Sequence, residues 1–426
     1  MFSLCTLLAV PLVLAAVGSA LLSLAVCVHD MLRRRCLLPT LHYRESALNS
    51  RLLAKCGLRQ RLFSPAFWLR SGHVQTLAAA LLPRADGSSD VCFEREYLQM
   101  RDKGVVALDW VMSVHPRVKR KSTVLLVLPP ITGDAMTVSA LCHMATRRGF
   151  RTLVFNRRGH GGSVLTTPKL QSSGDPSDMR QVVKYLRLRY PRSRLAAVAY
   201  GTGCGLLISY LGEFGSSALL SAGACVSPCY DMAERFSGSL KSIYDFFYLL
   251  KLKTILLHHA KALSSVVDTK GALKAWSFKS YEEQVYFRMY SHITNPTVNG
   301  QVVTSGPSSS PTTGANMEEY WERNNPIRDV DDIAVPVLCI NSLDDPVCAS
   351  SSIPYDLFRC YPNFLLVVTE KGGHCGFLEG FPLRSWADSL CLDYLEAVFE
   401  CTTRGYTTTN HSTTVSNGRN NMRSTI

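Results

Sequence analysis

Short, largely apolar runs recur along this chain, most of them followed by a turn and then by a segment with helical periodicity. The runs are Thr123–Leu128, Arg151–Phe155, Leu195–Ala199, Val335–Ile340 and Phe364–Val368. A strand apolar on both faces must be covered on both, and helices between successive strands supply the cover. The alternation therefore predicts an α/β fold with a mostly parallel sheet and helices on both faces. Ahead of it, Glu96–Met100 and Val105–Val111 flank a turn at Asp102-Lys-Gly104 and read as an antiparallel hairpin. Helices are expected over Met136–Arg148, Asp175–Tyr190, Leu206–Leu211 and Trp386–Phe399.

Of the 426 residues, the ends fall outside this pattern. Phe2–Val28 carries no charge and is long enough to span a bilayer, and Arg33-Arg34-Arg35 follows at once. Residues 1–28 are thus expected to form a transmembrane anchor, with a cleaved signal segment and secretion as the alternative. The body of the protein would then face the cytoplasm, on the endoplasmic reticulum or a related membrane. Residues 29–62 read as a juxtamembrane connector and 63–400 as one α/β domain. Within that domain, the helical stretch at about 230–293 forms a cap and the Ser/Thr/Pro-rich stretch at about 296–316 a loop. Residues 401–426, rich in Thr, Asn and Ser, read as a disordered tail. Fifteen cysteines, an odd number, largely without paired spacing and several of them within apolar runs, point to a reducing compartment rather than a disulfide framework. The net charge of +13 is dispersed, with no zinc-finger or RNP-like motif, which argues against nucleic acid. No cofactor and no metal are called for.

In such a sheet the chemistry gathers at the carboxyl ends of the strands. Ala199-Tyr-Gly-Thr-Gly203 follows one strand and opens a helix, the setting of a nucleophile elbow. An elbow needs small residues two before and two after its centre. Only Gly201 meets that, with Ala199 and Gly203; a centre at Thr202 meets Tyr200 and Cys204, and one at Cys204 meets Thr202 and Leu206. The apex therefore carries glycine, which has nothing to attack with. The second strand end carries Asp344-Asp345-Pro346, the third Lys371-Gly-Gly-His374-Cys-Gly-Phe377. Alone, the first of these reads as a solvated turn and the second as a structural histidine loop. In the order elbow, acid, histidine they match the α/β-hydrolase chain order. An oxyanion hole would draw on the N–H groups of Ile131 and Thr202, Pro130 having none.

Several stretches resemble the hydrolase subfamily known as the AB hydrolase 4 group. They are Ser71-Gly-His-Val-Gln-Thr76, Val106-Ala-Leu-Asp-Trp110, Phe155-Asn-Arg-Arg-Gly-His-Gly-Gly-Ser163, Leu165-Thr-Thr-Pro168, Tyr210-Leu-Gly-Glu213, Tyr320-Trp-Glu-Arg323, Asn325-Pro326 and Gly372-Gly-His-Cys-Gly-Phe-Leu-Glu379. Members are mostly membrane-anchored lipases and esterases with a Ser-Asp-His triad. Glu96-Tyr-Leu-Gln99, Ser173-Gly-Asp-Pro-Ser-Asp178 and Arg328-Asp-Val-Asp331 resemble the fifteenth branch of the α/β-hydrolase-domain-containing proteins, which also looks serine-deficient. The resemblance implies Asp345 as the acid (Asp344 being the alternative) and His374 as the base, with Gly201 at the serine position.

The leading expectation is a serine-deficient pseudohydrolase regulating lipid metabolism at a membrane, with a lipid or acyl ligand in the cleft and a regulatory protein partner. The alternative is an active carboxylic-ester or lipid hydrolase. Its nucleophile would be displaced to Thr202 or Cys204, or would be a water activated by His374. An electrostatic binder of membranes or nucleic acid ranks last.

Overall fold

The computed structural model describes residues 17–26, 38–82, 91–112, 117–232, 234, 243–294, 297–298, 301–302 and 316–413. Nine strands make the principal sheet: β1 (Thr40–Tyr43), β2 (Phe93–Gln99), β3 (Val105–Val111), β4 (Val124–Leu128), β5 (Arg151–Asn156), β6 (Leu195–Tyr200), β7 (Ala222–Val226), β8 (Val337–Ser342) and β9 (Phe364–Thr369). They lie in the order β1-β9-β8-β7-β6-β4-β5-β3-β2. The six strands from β9 to β5 are parallel to one another, whereas β1, β3 and β2 pair antiparallel at the edges.

Two helical layers cover the sheet because its strands point alternate side chains to alternate faces. Leu125 and Val127 of β4 join one buried cluster with Leu141 and Ala145 of α3 (Ser139–Arg147) and Leu390 and Leu395 of the C-terminal helix Trp386–Thr413. Leu126 and Leu128 join the other, with Met179 and Val183 of α4 (Ser177–Arg189) and Leu207 and Leu211 of α5 (Thr202–Phe214). In α4 the charges complement the helix dipole, Asp178 in the first turn and Arg187 and Arg189 in the last. The expected hairpin forms with Glu96 opposite Leu108 and Gln99 opposite Val105. At β4 the order reverses, β5 on one side and β6 on the other. That reversal opens a crevice beyond the strand ends, where a doubly wound sheet takes its ligands.

Over this crevice sit the cap-region helices. Ile243–His258, Thr269–Leu273 and Phe278–Glu282 run on into a π-helical turn at Glu283–Phe287. Their own core of Leu249, Leu252, Leu256, Phe278, Tyr281 and Val285 reaches down to Ile131, Cys229 and Cys348 of the main body.

Three segments differ from their sequence reading. The stretch read as a connector supplies edge strand β1 and the helix Ala47–Lys55, which Ser46 caps through a hydrogen bond from the Asn49 N–H. Strand β7, Ala-Gly-Ala-Cys-Val, was not anticipated; its small residues carry little strand propensity, and its place between β6 and β8 is what makes it a strand. The C-terminal helix runs on into the segment read as a tail, while residues 414–426 lie outside the described residues. So does most of the 296–316 loop, whose residues 297–298 and 301–302 pair as a short ladder.

The anchor expectation is corrected. Residues 17–26 are helical, residues 1–16 and 27–37 lie outside the described set, and no described helix is long and apolar enough to cross a membrane. The transmembrane and signal-anchor readings, the membrane partner and the membrane-anchored or secreted localisation built on them are set aside.

Candidate active site

Strand β6 ends at Tyr200 and helix α5 begins at Thr202, so the chain reverses within the single residue Gly201. Its backbone has φ 50° and ψ −120°. That left-handed geometry is costly for any residue with a Cβ and open to glycine. The Gly201 N–H donates to the Val226 carbonyl at 3.0 Å, tying the turn to the end of β7. Gly203 shows why the flanks must be small. A Cβ there would sit 2.6 Å from the Leu128 carbonyl oxygen and 2.8 Å from that of Pro129.

A Cβ placed on Gly201 would lie 3.2 Å from Nε2 of His374. The histidine loop reaches this point through left-handed residues, with Gly373 at φ 59°, Cys375 at 56° and Phe377 at 49°. Its backbone is pinned on both sides. The His374 N–H donates to Thr76 Oγ1 at 2.9 Å, the Gly373 N–H to Asp344 Oδ1 at 3.0 Å, and the Cys375 N–H to Ser227 Oγ at 2.9 Å. Asp345, not Asp344, faces the ring: His374 Nδ1 lies 2.9 Å from Asp345 Oδ2. The other carboxylate oxygen accepts the N–H groups of Val347 (2.8 Å) and Cys348 (2.9 Å), so the acid is held by its own loop. Asp344 serves the backbone of the histidine loop, and its carbonyl packs so closely on Gly72 that a Cβ there would be 1.9 Å away. Burial pushes the His374 pKa down, but the Asp345 carboxylate, joined by Cys375, outweighs it and holds the ring well above its ordinary 6.5.

The two displaced-nucleophile residues are otherwise engaged. Thr202 Oγ1 accepts the Ile131 N–H at 2.8 Å, which also occupies that expected oxyanion donor. Cys204 is fully buried against the Val226 carbonyl at 3.4 Å, and burial raises its thiol to about 11, so it stays protonated at neutral pH. The Thr202 N–H lies in the first turn of α5, where helix N–H groups have no intrahelical acceptor. Behind it, buried Arg157 donates to the carbonyls of Thr202 (2.8 Å) and Ser172 (2.8 Å).

The imidazole and Thr202 open onto a cavity of about 490 Å³, walled by Pro130, Thr132, Tyr200, Phe247, Tyr248 and Cys348, among others. An imidazole with its carboxylate at the foot of a largely apolar cavity, beside a glycine elbow on a strand-to-helix turn, is the layout of one fold family. A model of the alpha/beta hydrolase fold matches residues 141–381. The chain belongs to the α/β-hydrolase fold family. Among α/β-hydrolase relatives, human Protein ABHD15 is 39% identical over 363 residues, covering 82% of this chain and 72% of that one. Human Phospholipase ABHD3 is 26% identical over 359 residues, covering 81% of each. Human Monoacylglycerol lipase ABHD2 is 25% identical over 402 residues, covering 90% of this chain and 91% of that one.

These findings overturn the leading expectation of a membrane-associated pseudohydrolase that regulates through binding alone. What stands is an α/β-hydrolase-fold domain with acid and imidazole assembled at a cavity, and without a described helix able to span a membrane. Thr76, Ser227 and Cys348 had no assigned role in the sequence reading. Thr76 alone carried a signal there, as the last residue of the Ser71–Thr76 run.

Proposed function

We propose that this chain is a carboxylic-ester hydrolase for esters with an apolar acyl chain, in which His374 activates water directly. The observation that carries the proposal is the glycine at the elbow, whose Cβ position lies 3.2 Å from Nε2 of His374. With hydrogen there, the basic nitrogen faces the cavity instead of a serine side chain. Nε2 takes a proton from water as the water oxygen bonds to the ester carbonyl carbon. Asp345 stabilises the resulting imidazolium through Nδ1. The oxyanion is met by the Thr202 N–H at the positive end of α5, with the Thr202 hydroxyl, already an acceptor for Ile131, able to donate its own hydrogen. The carbon–oxygen bond to the alcohol then breaks and Nε2 returns the proton to the alkoxide. No acyl-enzyme forms. Because the ring's pKa is raised, its neutral, base-competent form grows as pH climbs above the ordinary histidine range.

The apolar cavity supports the acyl preference, as do relatives whose names record phospholipase and monoacylglycerol lipase activity. Membership of the AB hydrolase 4 group is part of the same proposal, supported by those relatives and by the Ser71–Thr76 and Gly372–Glu379 motifs. The catalytic unit is proposed to include β1, since that strand completes the sheet edge beside β9. The test is turnover of p-nitrophenyl acyl esters by purified chain beside His374→Ala. Expected is hydrolysis that needs His374 and leaves the protein unlabelled by a fluorophosphonate. No turnover by folded wild-type chain, or turnover equal in the variant, overturns the proposal.

A further inference from the structure

Three different ligand chemistries meet at the foot of the cavity. A ring nitrogen of His374, a carboxylate oxygen of Asp345 and Sγ of Cys348 all lie within 4.8 Å of one another. Asp345 and Cys348 come from one turn, locked by the Cys348 N–H that donates to Asp345 Oδ1. The histidine is fixed from the other side through Thr76 and Asp344. From this cluster we infer that Asp345, Cys348 and His374 form a binding site for zinc, and that zinc bound there shuts the site off.

The donor set selects the metal. Magnesium and calcium take oxygen ligands, whereas a thiolate with an imidazole suits zinc and its tetrahedral surrogate cobalt(II). With bonds of about 2.0 Å to nitrogen and oxygen and about 2.3 Å to sulfur, tetrahedral zinc holds its ligand atoms roughly 3.3–3.6 Å apart. The imidazole and carboxylate, at 2.9 Å, need to part by a few tenths of an ångström, and the thiol needs to draw in by about 1 Å. Both are side-chain adjustments within one wall of a cavity. Carboxylate and thiolate together neutralise the cation, which suits a half-buried site, and the thiol gives up its proton on binding. His374 and Cys348 both line the cavity, so a water can complete the fourth position. Whichever ring nitrogen zinc takes, the imidazole is tied down and its carboxylate diverted. That consequence rests on the hydrolase reading; the binding does not.

The experiment uses the full-length chain, stripped with a chelator and titrated with zinc by calorimetry and with cobalt(II) by absorption. Expected are one zinc per chain, intense tetrahedral cobalt bands in the visible, and a thiolate-to-cobalt charge-transfer band in the near ultraviolet. Cys348→Ser should abolish the charge-transfer band, and it and Asp345→Asn should each weaken zinc at least roughly tenfold. The double variant Cys92→Ser/Cys360→Ser, which removes two exposed thiols, should leave both signals intact. Thermal melts establish that the variants are folded; should Cys348→Ser fail to fold, Asp345→Asn decides the matter. Equal zinc affinity in folded Cys348→Ser, or a cobalt spectrum with no thiolate band, overturns the inference. In an ester assay, stoichiometric zinc should stop turnover and a chelator restore it. If no ester is hydrolysed by the metal-free chain, the hydrolase reading fails while the spectra still decide the zinc site.

Discussion

Replacing Gly201 with serine places a hydroxymethyl group at the one point where an α/β-hydrolase uses it. The structure sets both the gain and the cost. The new Cβ meets Nε2 of His374 at 3.2 Å and Cβ of Pro130 at 3.6 Å, so the imidazole has to yield by a few tenths of an ångström. The backbone at φ 50° charges any non-glycine residue about 1–3 kcal/mol in strain. Against this, loss of the nucleophile from a serine-hydrolase triad costs about 10⁶ in kcat, or ~8 kcal/mol of transition-state stabilisation. The expected outcome is a variant that melts a few degrees below wild type yet reacts with a fluorophosphonate probe through Ser at position 201. Hydrolysis should change from a single step to a two-step course with a burst of released alcohol. The assay is gel and intact-mass labelling of Gly201→Ser beside Gly201→Ser/His374→Ala, with the melting temperature recorded for each. A folded, probe-silent single variant would refute the argument that imidazole, acid and elbow are already in register. Equal labelling of single and double variants would refute the assignment of His374 as the base.

Asp345→Asn keeps the shape of the acid but no longer stabilises a charged ring; kcat should fall by about 10⁴, as in serine-protease triads, while Asp344→Ala should act mainly on stability by freeing the Gly373 N–H. Gly203→Ala drives a Cβ to 2.6 Å from the Leu128 carbonyl oxygen, a backbone atom that cannot swing away; a loss of about 1–3 kcal/mol or more is expected in denaturant unfolding. Glu282 is buried in the cap, and burial raises its pKa to about 7, only partly offset by the Tyr320 hydroxyl at 2.7 Å. Its contribution to folding is present in full below pH 4.5, the unfolded value, and is lost as pH rises to 7, by about 3 kcal/mol at most. Glu282→Gln should remove that slope, so the difference in unfolding free energy between the two proteins should shift toward the variant across this window and stay constant above it.

Local order along the chain determined much of this protein by itself. Apolar runs of five or six residues separated by helical segments specify a parallel sheet whatever else surrounds them, because each strand needs cover on both faces. The elbow was also legible, since a glycine between small residues at positions 199 and 203, directly after an apolar strand, is a pattern within five residues, even though the atoms that demand it, such as the Leu128 and Pro129 carbonyl oxygens, belong to another strand end. Tertiary structure decided what depends on residues far apart in sequence. Two adjacent aspartates look alike along the chain, and only the arrival of a loop 29 residues later gives Asp345 the imidazole and Asp344 a backbone N–H. Thr202 looks like a nucleophile until packing brings the Ile131 N–H, 71 residues away, onto its hydroxyl. Strands β1 and β7 gain their identity from neighbours rather than from propensity, and Cys348 gains its place in the site from folding of the loop that carries Asp345. Hydrogen bonds and side-chain contacts reach only a few ångströms, so which partners meet there is settled by the path of the whole chain.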